Sequence, residues 1–367
     1  MLRLIASVRI TVVCLFLLFI LTFWGTMAQV QQGLYAAQER FFASFFFLAG
    51  GWFPFPGAQL VLWILFVNLI AALIVHFQKQ HGWASIGGKV THLGLILYFA
   101  AAFFIFHLSQ ESYVHLGVGE QTNVSTSYTE WELAYWQSTQ AGHRRVTAVD
   151  SKNFKPGEKI TFNASHFTMS VERYYPNCEA FDNGGKPQPA GTIGLDNISR
   201  FVLEPLHKER EKDLAGGIFN LTFDGKPHTL LLFGAEARPT PVSIDGKDYF
   251  FILRHKTFPL PFVLRLDRFK AAFHPDTDMA KSFQSWVTIS TGSLTRRVRI
   301  HMNSPLRYKD YTLYQASYDT DAQGRQYSTL AVVRNSARLM PYISCLVVFI
   351  GLALHFLIQA LMAKARL

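Results

Sequence analysis

Four histidines lie in or at the ends of long apolar runs of this 367-residue chain: His76, His92, His107 and His355. An imidazole ring can bind a metal, move a proton or form a hydrogen bond, and inside hydrocarbon it costs free energy unless it has such a partner. Histidines in apolar runs are therefore candidates for function. His92 is the first candidate, because it lies within a run long enough to cross a bilayer.

The elements that must position these histidines are membrane-spanning helices. Half of the residues are hydrophobic and 33 are Phe, which is too apolar for an ordinary soluble protein. About 20 apolar residues cross the core of a bilayer. Four segments meet that length, at residues 10–27, 59–77, 90–108 and 339–361.

The basic residues that flank these segments predict the topology. Cytoplasmic flanks carry an excess of Lys and Arg, and a cytoplasmic N-terminus places these residues inside: Arg3, Arg9, Lys79, Lys89, Lys364 and Arg366. We therefore expect a multi-pass protein of a bacterial inner membrane, with both termini in the cytoplasm and a large periplasmic domain. The first segment also fits a secretory signal peptide ending near residues 26–28, but the three later spans balance the topology only if it is retained.

The sequence predicts four transmembrane α-helices plus a large extracytoplasmic all-β domain, either a sandwich or an open barrel. Residues 1–108 would hold three helices and an apolar interfacial segment at 28–57, residues 109–338 the β-rich domain, and residues 339–367 the fourth helix and a short tail. Asp224-Gly225 and Asp245-Gly246 are hairpin turn signals between strand-like runs.

Two segments in the first half of the outer region have a secondary structure that is predicted from local composition. Residues 161–175 predict a strand, and residues 176–215, rich in Gly, Pro and charge, predict a loop with a short helix near 204–213.

In the second membrane span, Asn68 predicts a hydrogen bond between helices.

Charge and cysteine content exclude several classes of function. The net charge is +10, but residues 109–338 carry 28 basic against 24 acidic residues, interspersed as on a solvated surface, so we expect no nucleic-acid partner. Cys14 and Cys345 lie in spans and leave Cys178 alone outside, so no disulfide forms within the outer domain. The chain has neither Cys-x-x-Cys-His nor Cys-x-x-Cys, and therefore no site for covalent haem attachment or dithiol exchange.

Several stretches resemble the ResB (also CcsB) family of cytochrome c biogenesis proteins. They occur in the same order along nearly the whole chain, at residues 25–29, 33–42, 55–57, 68–69, 88–95, 260–269, 282–289 and 302–318. The resemblance implies one subunit of a System II membrane complex that binds haem b non-covalently, exports it and supports its attachment to apocytochrome c. The implied partners are a polytopic CcsA (ResC) protein with a tryptophan-rich loop, apocytochrome c and membrane lipid.

The resemblance also implies a division of labour between the subunits. The seven Trp of this chain are scattered rather than gathered in one loop, so the chain would need its partner. At most it would be the non-catalytic or half-site subunit of a holocytochrome c synthase, and no catalytic residue is assigned to it.

With haem as the expected cargo, the histidines acquire roles. Iron takes axial imidazole nitrogen, so His92 is the predicted axial ligand, and Lys89, three residues earlier on about the same helix face, would pair with a propionate. His355 lies at a comparable depth and is a secondary candidate, although the family resemblance places the opposing ligand on the partner. His107 lies about 22 Å further along the helix, is a weak candidate and cannot share iron with His92.

Other interpretations of these residues remain open. His92 would otherwise bond to a neighbouring helix, and Lys89 would be a positive-inside anchor. His76 is predicted as a snorkelling residue at the interface. The outer histidines show no metal-ligand spacing and are predicted to be ordinary β-domain residues: His166, His255, His274 and His301.

Two other classes of protein fit the same sequence. A b-type cytochrome subunit for electron transfer would use histidines at two depths to hold two redox-active haems. A haem-free scaffold would use its β domain to dock a partner. Spectra of the chain purified alone and with its neighbours distinguish these classes.

Overall fold

The structure is a computed structural model, and it describes residues 2–79, 82–137, 145–160, 167–182, 184, 188–194, 198–275 and 280–364. The chain divides into two compact units. One comprises Met1–Gln110, Arg307–Thr312 and Val333–Leu367, and the other comprises Glu111–Leu306 and Leu313–Val332.

The first unit is helical. Its helices are α1 (Leu2–Ile5), α2 (Val8–Gln32), α3 (Leu34–Ala37), α4 (Ala58–Lys79), α5 (Ile86–Leu108) and α6 (Met340–Lys364), with a π-helical turn at Gln38–Phe42 and a 3₁₀ turn at Trp83–Ser85. Among the described residues, four helical segments are long and apolar enough to cross a membrane: Leu2–Gln32, Ala58–Gln78, Trp83–Leu108 and Met340–Lys364. They confirm the four predicted spans. Each extends a few residues beyond its apolar window, because polar flanks can continue a helix once it has formed.

Helices α5 and α6 contact each other through glycine. A Cβ atom added at Gly87 would lie 2.3 Å from the backbone nitrogen of His355, and one added at Gly351 would lie 2.5 Å from the backbone nitrogen of Thr91. Gly94 faces α6 in the same way. Small residues let membrane helices approach this closely, and van der Waals contact between the backbones then holds the pair together.

Asn68 joins α4 to the N-terminal helices, as predicted. Its Oδ1 accepts a hydrogen bond from the Thr11 hydroxyl at 2.8 Å, and its Nδ2 donates to the carbonyls of Ile5 and Ser7. The amide is buried and all its partners belong to the bundle. An unpaired amide at this depth would carry a large desolvation penalty, and these three bonds remove it.

The apolar segment between the first two spans packs on the helices. It holds the hairpin of β1 (Phe46–Ala49) and β2 (Phe53–Pro56). Its rings surround Trp24 of α2, whose centroid lies 5.5 to 5.8 Å from those of Phe41, Phe47 and Phe55. Burial accounts for part of its apolar composition, since Phe41 and Phe47 are buried whereas Phe46 and Trp52 are exposed.

Apart from β1 and β2, the strands belong wholly or partly to the second unit. They are β3 (Gln110–Gly117), β4 (Gln121–Gln137), β5 (Thr147–Asp150), β6 (Lys159–Ile160), β7 (Thr168–Tyr175), β8 (Cys178–Asp182), β9 (Thr192–Gly194), β10 (Ile198–Leu203), β11 (Gly216–Phe223), β12 (Lys226–Phe233), β13 (Thr240–Ile244), β14 (Lys247–Phe273), β15 (Ala280–Thr291), β16 (Leu294–His301), β17 (Leu306–Tyr308), β18 (Tyr311–Thr320) and β19 (Gln326–Arg334). This confirms the predicted all-β domain.

Two large sheets are formed by the described strands. The larger runs β16-β15-β14-β4-β3-β19-β18-β17, with β13 beside β14 and β5 beside β4, and the smaller runs β6-β7-β11-β12-β9. One apolar core joins them, with Leu133 and Phe251 from the larger sheet and Phe219 and Leu230 from the smaller, all fully buried. The two sheets therefore pack face to face as a sandwich.

Both predicted hairpins are present. Asp224-Gly225 joins β11 to β12 with φ angles of 52° and 69°, and Asp245-Gly246 joins β13 to β14 with 49° and 70°. Two consecutive positive φ angles define the tight turn whose twist matches that of paired strands, and Asp-Gly is suited to it.

The predicted loop at 176–215 is wrong in part. Strands β8 and β10 pair as a hairpin there, and β9 joins β12 in parallel. The hairpin buries Cys178 and Phe201 in a small separate cluster, which outweighs the local Gly, Pro and charge content. A 3₁₀ turn at Arg210–Lys212 confirms the short helix. Residues 161–166 of the strand predicted at 161–175 lie outside the described residues, and β7 covers the rest.

Candidate functional site

Three helices of the first unit bring histidines to one place. His76 of α4 lies within electrostatic range of His92 and Lys89 of α5 and of His355 of α6. We call these four residues the histidine cluster. Its members come from the last turns of α4, the first turns of α5 and the last turns of α6, as an antiparallel arrangement of spans requires.

The closest pair in the histidine cluster is His76 and His92. Their ring centroids are 5.9 Å apart and their ring planes differ by 17°. The His76 ring is hydrogen-bonded to the backbone of Ser85. Its Nε2 atom is buried with no hydrogen-bond partner among the described residues. A buried nitrogen of this kind costs about 1–3 kcal/mol, and such exceptions are a common sign of a missing ligand, water or ion.

The ring of His92 has a defined tautomer. Its Nδ1 lies 2.8 Å from the carbonyl oxygen of Gly88, one turn earlier on the same helix. A carbonyl only accepts, so Nδ1 carries the proton and Nε2 carries the lone pair. A backbone bond at one ring nitrogen is the usual support of a histidine that binds a metal through the other.

Lys89 supplies a cation at the edge of the cluster. It is partly buried, and its Nζ lies 4.8 Å from the centroid of the Phe77 ring on α4. A cation over an aromatic face is attracted by the ring quadrupole. Phe77 therefore holds the ammonium group beside the histidines, where it can attract an anionic group.

Two glycines make room around the rings. A Cβ atom added at Gly88 would lie 3.2 Å from Nε2 of His76, and Gly87 touches the backbone of His355. A side chain at Gly87 would separate α5 from α6, and one at Gly88 would press on the His76 ring. His355 itself is partly buried and remains a secondary candidate in the cluster.

His107 is not part of the cluster. It lies at the opposite end of α5, exposed, against the rings of Phe103 and Phe106 at 4.4 and 5.1 Å. It borders an apolar groove of about 620 Å³ between α4 and α5, lined mostly by aromatic side chains. Fifteen residues of helix, about 22 Å, separate it from His92.

The contact between His76 and His92 was not predicted from the sequence. His76 is predicted as a snorkelling residue, and in the structure its Nε2 is buried and its ring lies next to that of His92. Its place in the last turns of a span, at the same predicted end as His92, was the available signal. Which side of α4 faces α5 follows from helix packing and is not encoded by a local motif.

The donor set suits one kind of metal compound. Among the described residues, no three His, Cys, Asp or Glu side chains are grouped to hold a metal ion. A zinc site needs three or four protein ligands. Haem iron takes its equatorial ligands from the porphyrin, so one or two imidazoles are enough, and the nitrogens of His92 and His76 fit that requirement.

The outer histidines are placed as β-domain residues. The ring of His255 stacks on Trp131 with centroids 4.0 Å apart. His301 and His274 belong to no metal-ligating group among the described residues. His166 lies outside the part of the chain that the structure describes.

A comparison with protein families identifies part of the chain. The model of the ResB-like family matches residues 246–325. The match includes the three stretches of the outer domain that resemble that family, at residues 260–269, 282–289 and 302–318, and confirms the resemblance over this part of the chain. None of the curated proteins compared with the chain matched it.

Proposed function

We propose that this ResB-like chain holds haem at its histidine cluster and works with a CcsA-like partner that joins the haem to apocytochrome c. ResB-like proteins are associated with cytochrome c biogenesis. We propose haem as the cargo, its export across the membrane and a CcsA-like protein as the partner. The proposed route is System II, and the proposed location is the inner membrane.

One observation carries the proposal: the His92 ring, whose Nδ1 is engaged by the Gly88 carbonyl, lies beside the His76 ring, whose buried Nε2 has no hydrogen-bond partner among the described residues. His92, with its Nδ1 held by Gly88, is the axial ligand. Haem is the cargo here, and its iron provides the bond to imidazole. An iron–nitrogen bond would also remove the desolvation penalty of the buried nitrogen.

The other residues of the cluster have supporting roles. Lys89 pairs with a propionate, since its ammonium is held at the polar end of the span. Two residues of this chain are candidates for the opposite axial position, His76 and His355, and a histidine of the partner is a third. The 5.9 Å ring separation and the unpartnered Nε2 favour His76 over His355.

The test is haem content of the complex co-purified with its CcsA-like partner. His92→Ala should lower bound haem by about tenfold or more, as expected when a ligand is lost. Added imidazole should restore part of it by filling the vacated position. His107→Ala is the matched control, a histidine removed from the same helix far from the cluster, and should leave haem content unchanged.

Two further variants identify the opposite ligand. Loss of haem in His76→Ala but not in His355→Ala assigns it to His76, and the converse assigns it to His355. Unchanged haem content in both variants assigns the opposite ligand to the partner. If His92→Ala also keeps its haem, the cluster is not the haem site and the proposal is wrong.

The need for a partner is tested by activity. Because the chain lacks Cys-x-x-Cys-His and a tryptophan-rich loop, we expect no maturation of apocytochrome c when it is expressed alone in a strain without a CcsA-like protein. Maturation under those conditions would contradict the division of labour. Two stable redox-active haems in the isolated chain would instead identify an electron-transfer cytochrome.

A further inference from the structure

The outer face of strands β14, β15 and β16 concentrates positive charge. Arg265 and Arg268 of β14 and Arg297 and Arg299 of β16 surround a cleft of about 440 Å³. All four are exposed. We call this surface the arginine face. One carboxylate, that of Asp267, lines the same cleft.

Strand register places the arginines in two rows. Arg265 and Arg297 both pair with Thr288 of β15, and Arg268 and Arg299 both pair with Trp286. Neighbouring strands are about 4.8 Å apart, so the two arginines of a row are about 10 Å apart at their Cα atoms, and the rows are separated by about 7 Å along the strands. Trp286 and Val298 complete the lining of the cleft, whereas Thr288 is buried.

A bulge in β14 contributes to this arrangement. The register shifts between Leu266 and Arg268, so Asp267 is the extra residue. Its carboxylate accepts hydrogen bonds from Arg265 at 2.8 Å and from the Thr288 hydroxyl. Bulges redirect side chains and are frequent beside functional sites. Here the bulge brings Asp267 and Arg268 to the same face.

The charges on this face are only partly neutralised. Asp267 pairs with Arg265, and the Arg268 guanidinium lies 4.6 Å from the centroid of the Trp286 ring. Among the described residues, Arg297 and Arg299 have no ion pair with a carboxylate. The two arginines of a row are separated by strand β15, and an anion that binds between them would neutralise their positive charge.

We propose that the arginine face is a binding site for a ligand with at least two oxyanion groups, carboxylate or phosphate, that bridges the two rows. Planar guanidinium groups bind both kinds of oxyanion through paired hydrogen bonds. The separation of the rows favours two groups on one ligand over a single small anion. The inference concerns the outer unit alone and does not depend on haem at the histidine cluster.

Two probes distinguish the sources of this chemistry, and both are applied to the full chain in neutral detergent. Iron-free protoporphyrin IX carries two carboxylates and cannot be held by an axial histidine. Its dimethyl ester has the same macrocycle without the charges. Inorganic pyrophosphate represents phosphate groups, as in a lipid headgroup.

Three single substitutions on β16 provide the comparison. Arg297→Gln and Arg299→Gln should each weaken binding of a probe by about tenfold or more, the loss expected for a hydrogen bond between charged groups. Arg296→Gln removes the same charge on the same strand but pairs with Ile289, on the other side of the strand. It should change affinity less than twofold.

Each outcome has a defined meaning. If Arg297→Gln and Arg299→Gln weaken only the binding of protoporphyrin IX, the site is assigned to carboxylate ligands. If they weaken only the binding of pyrophosphate, it is assigned to phosphate ligands such as lipid headgroups. If protoporphyrin IX and its dimethyl ester bind with equal affinity, the protein binds the macrocycle and not the carboxylates. That result counts against the arginine face as a carboxylate site. If no probe distinguishes Arg297→Gln or Arg299→Gln from Arg296→Gln, the proposal is overturned.

Discussion

His255 of the outer unit is partly buried, and it should make stability depend on pH. Its ring stacks on Trp131 and its Nδ1 is buried without a partner among the described residues. Burial lowers the pKa of His255 below its usual 6.5, and a hydrogen bond to the Glu130 backbone opposes this only in part. The unfolded chain therefore takes up this proton at a higher pH than the folded chain does.

We predict that stability falls as pH is lowered from about 7 through 6.5 and below, because protonation then favours the unfolded state. His255→Gln should flatten this part of the profile while leaving stability near pH 8 little changed. Urea unfolding of the wild type and the variant at several pH values measures the difference. An unchanged slope in the variant would show that His255 is not responsible.

The acidic residues nearby titrate in a separate range. Burial alone would raise the pKa of Glu130 and of Asp150, but hydrogen bonds and the charges of Lys152 and Lys256 outweigh it and lower both values. Their contribution is complete above the ordinary values of 4.5 and 3.8 and is lost as pH falls below them. It therefore does not overlap with the titration of His255.

Cys178 should be chemically silent in the folded protein. It is 4% exposed, and burial raises the pKa of its thiol to about 12. The reactive thiolate is thus nearly absent at neutral pH. We expect a maleimide reagent to leave Cys178 unmodified under native conditions and to label it after unfolding, as measured by mass spectrometry. Rapid native labelling would contradict the packing of β8 against β10.

At the scale of elements, the glycine contact between α5 and α6 predicts a strong effect from one methyl group. Gly351→Ala would place a Cβ atom 2.5 Å from the backbone nitrogen of Thr91, which cannot move away without displacing α5. Overpacking of this kind costs roughly 1–3 kcal/mol. The yield of folded protein and its thermal stability in detergent should fall.

A bulkier change elsewhere on α6 controls for that result. Ala353 is exposed on the same helix, two residues from Gly351. Ala353→Leu adds more volume but meets no backbone, so stability should remain close to that of the wild type. Equal losses in the two variants would mean that α6 tolerates no added volume at all, and the glycine contact would not be the cause.

The elements differ in how far local sequence determines them. Long apolar runs and Asp-Gly turns are local signals, and both led to correct helices and hairpins. Strands β8 and β10 were missed because residues on them gain stability from a cluster with Leu231, which is distant in sequence. For the same reason Lys89 and His92 could be selected as candidates, whereas His76 required the packing of α4 on α5.

For the molecule as a whole, the charge pattern predicts which surfaces face the cytoplasm. A cysteine at Lys247, exposed in the outer unit, should be labelled by a membrane-impermeant maleimide added to intact spheroplasts. A cysteine at Ala363, near the end of α6, should be labelled only after permeabilisation. The background for both is Cys345→Ala, since Cys14 and Cys178 are buried. The reverse labelling pattern would invert the proposed topology.

The contact between Gly87 and His355 can form only late in biosynthesis. His355 follows Gly87 by 268 positions, and ribosomes add about 5–20 residues per second. The glycine surface of α5 therefore lacks its partner helix for tens of seconds after α5 is synthesised, while the ribosome makes the whole β unit. A chain that terminates early leaves that surface uncovered and lacks one histidine of the cluster. Only a polypeptide that extends through α6 can assemble all four residues of the histidine cluster.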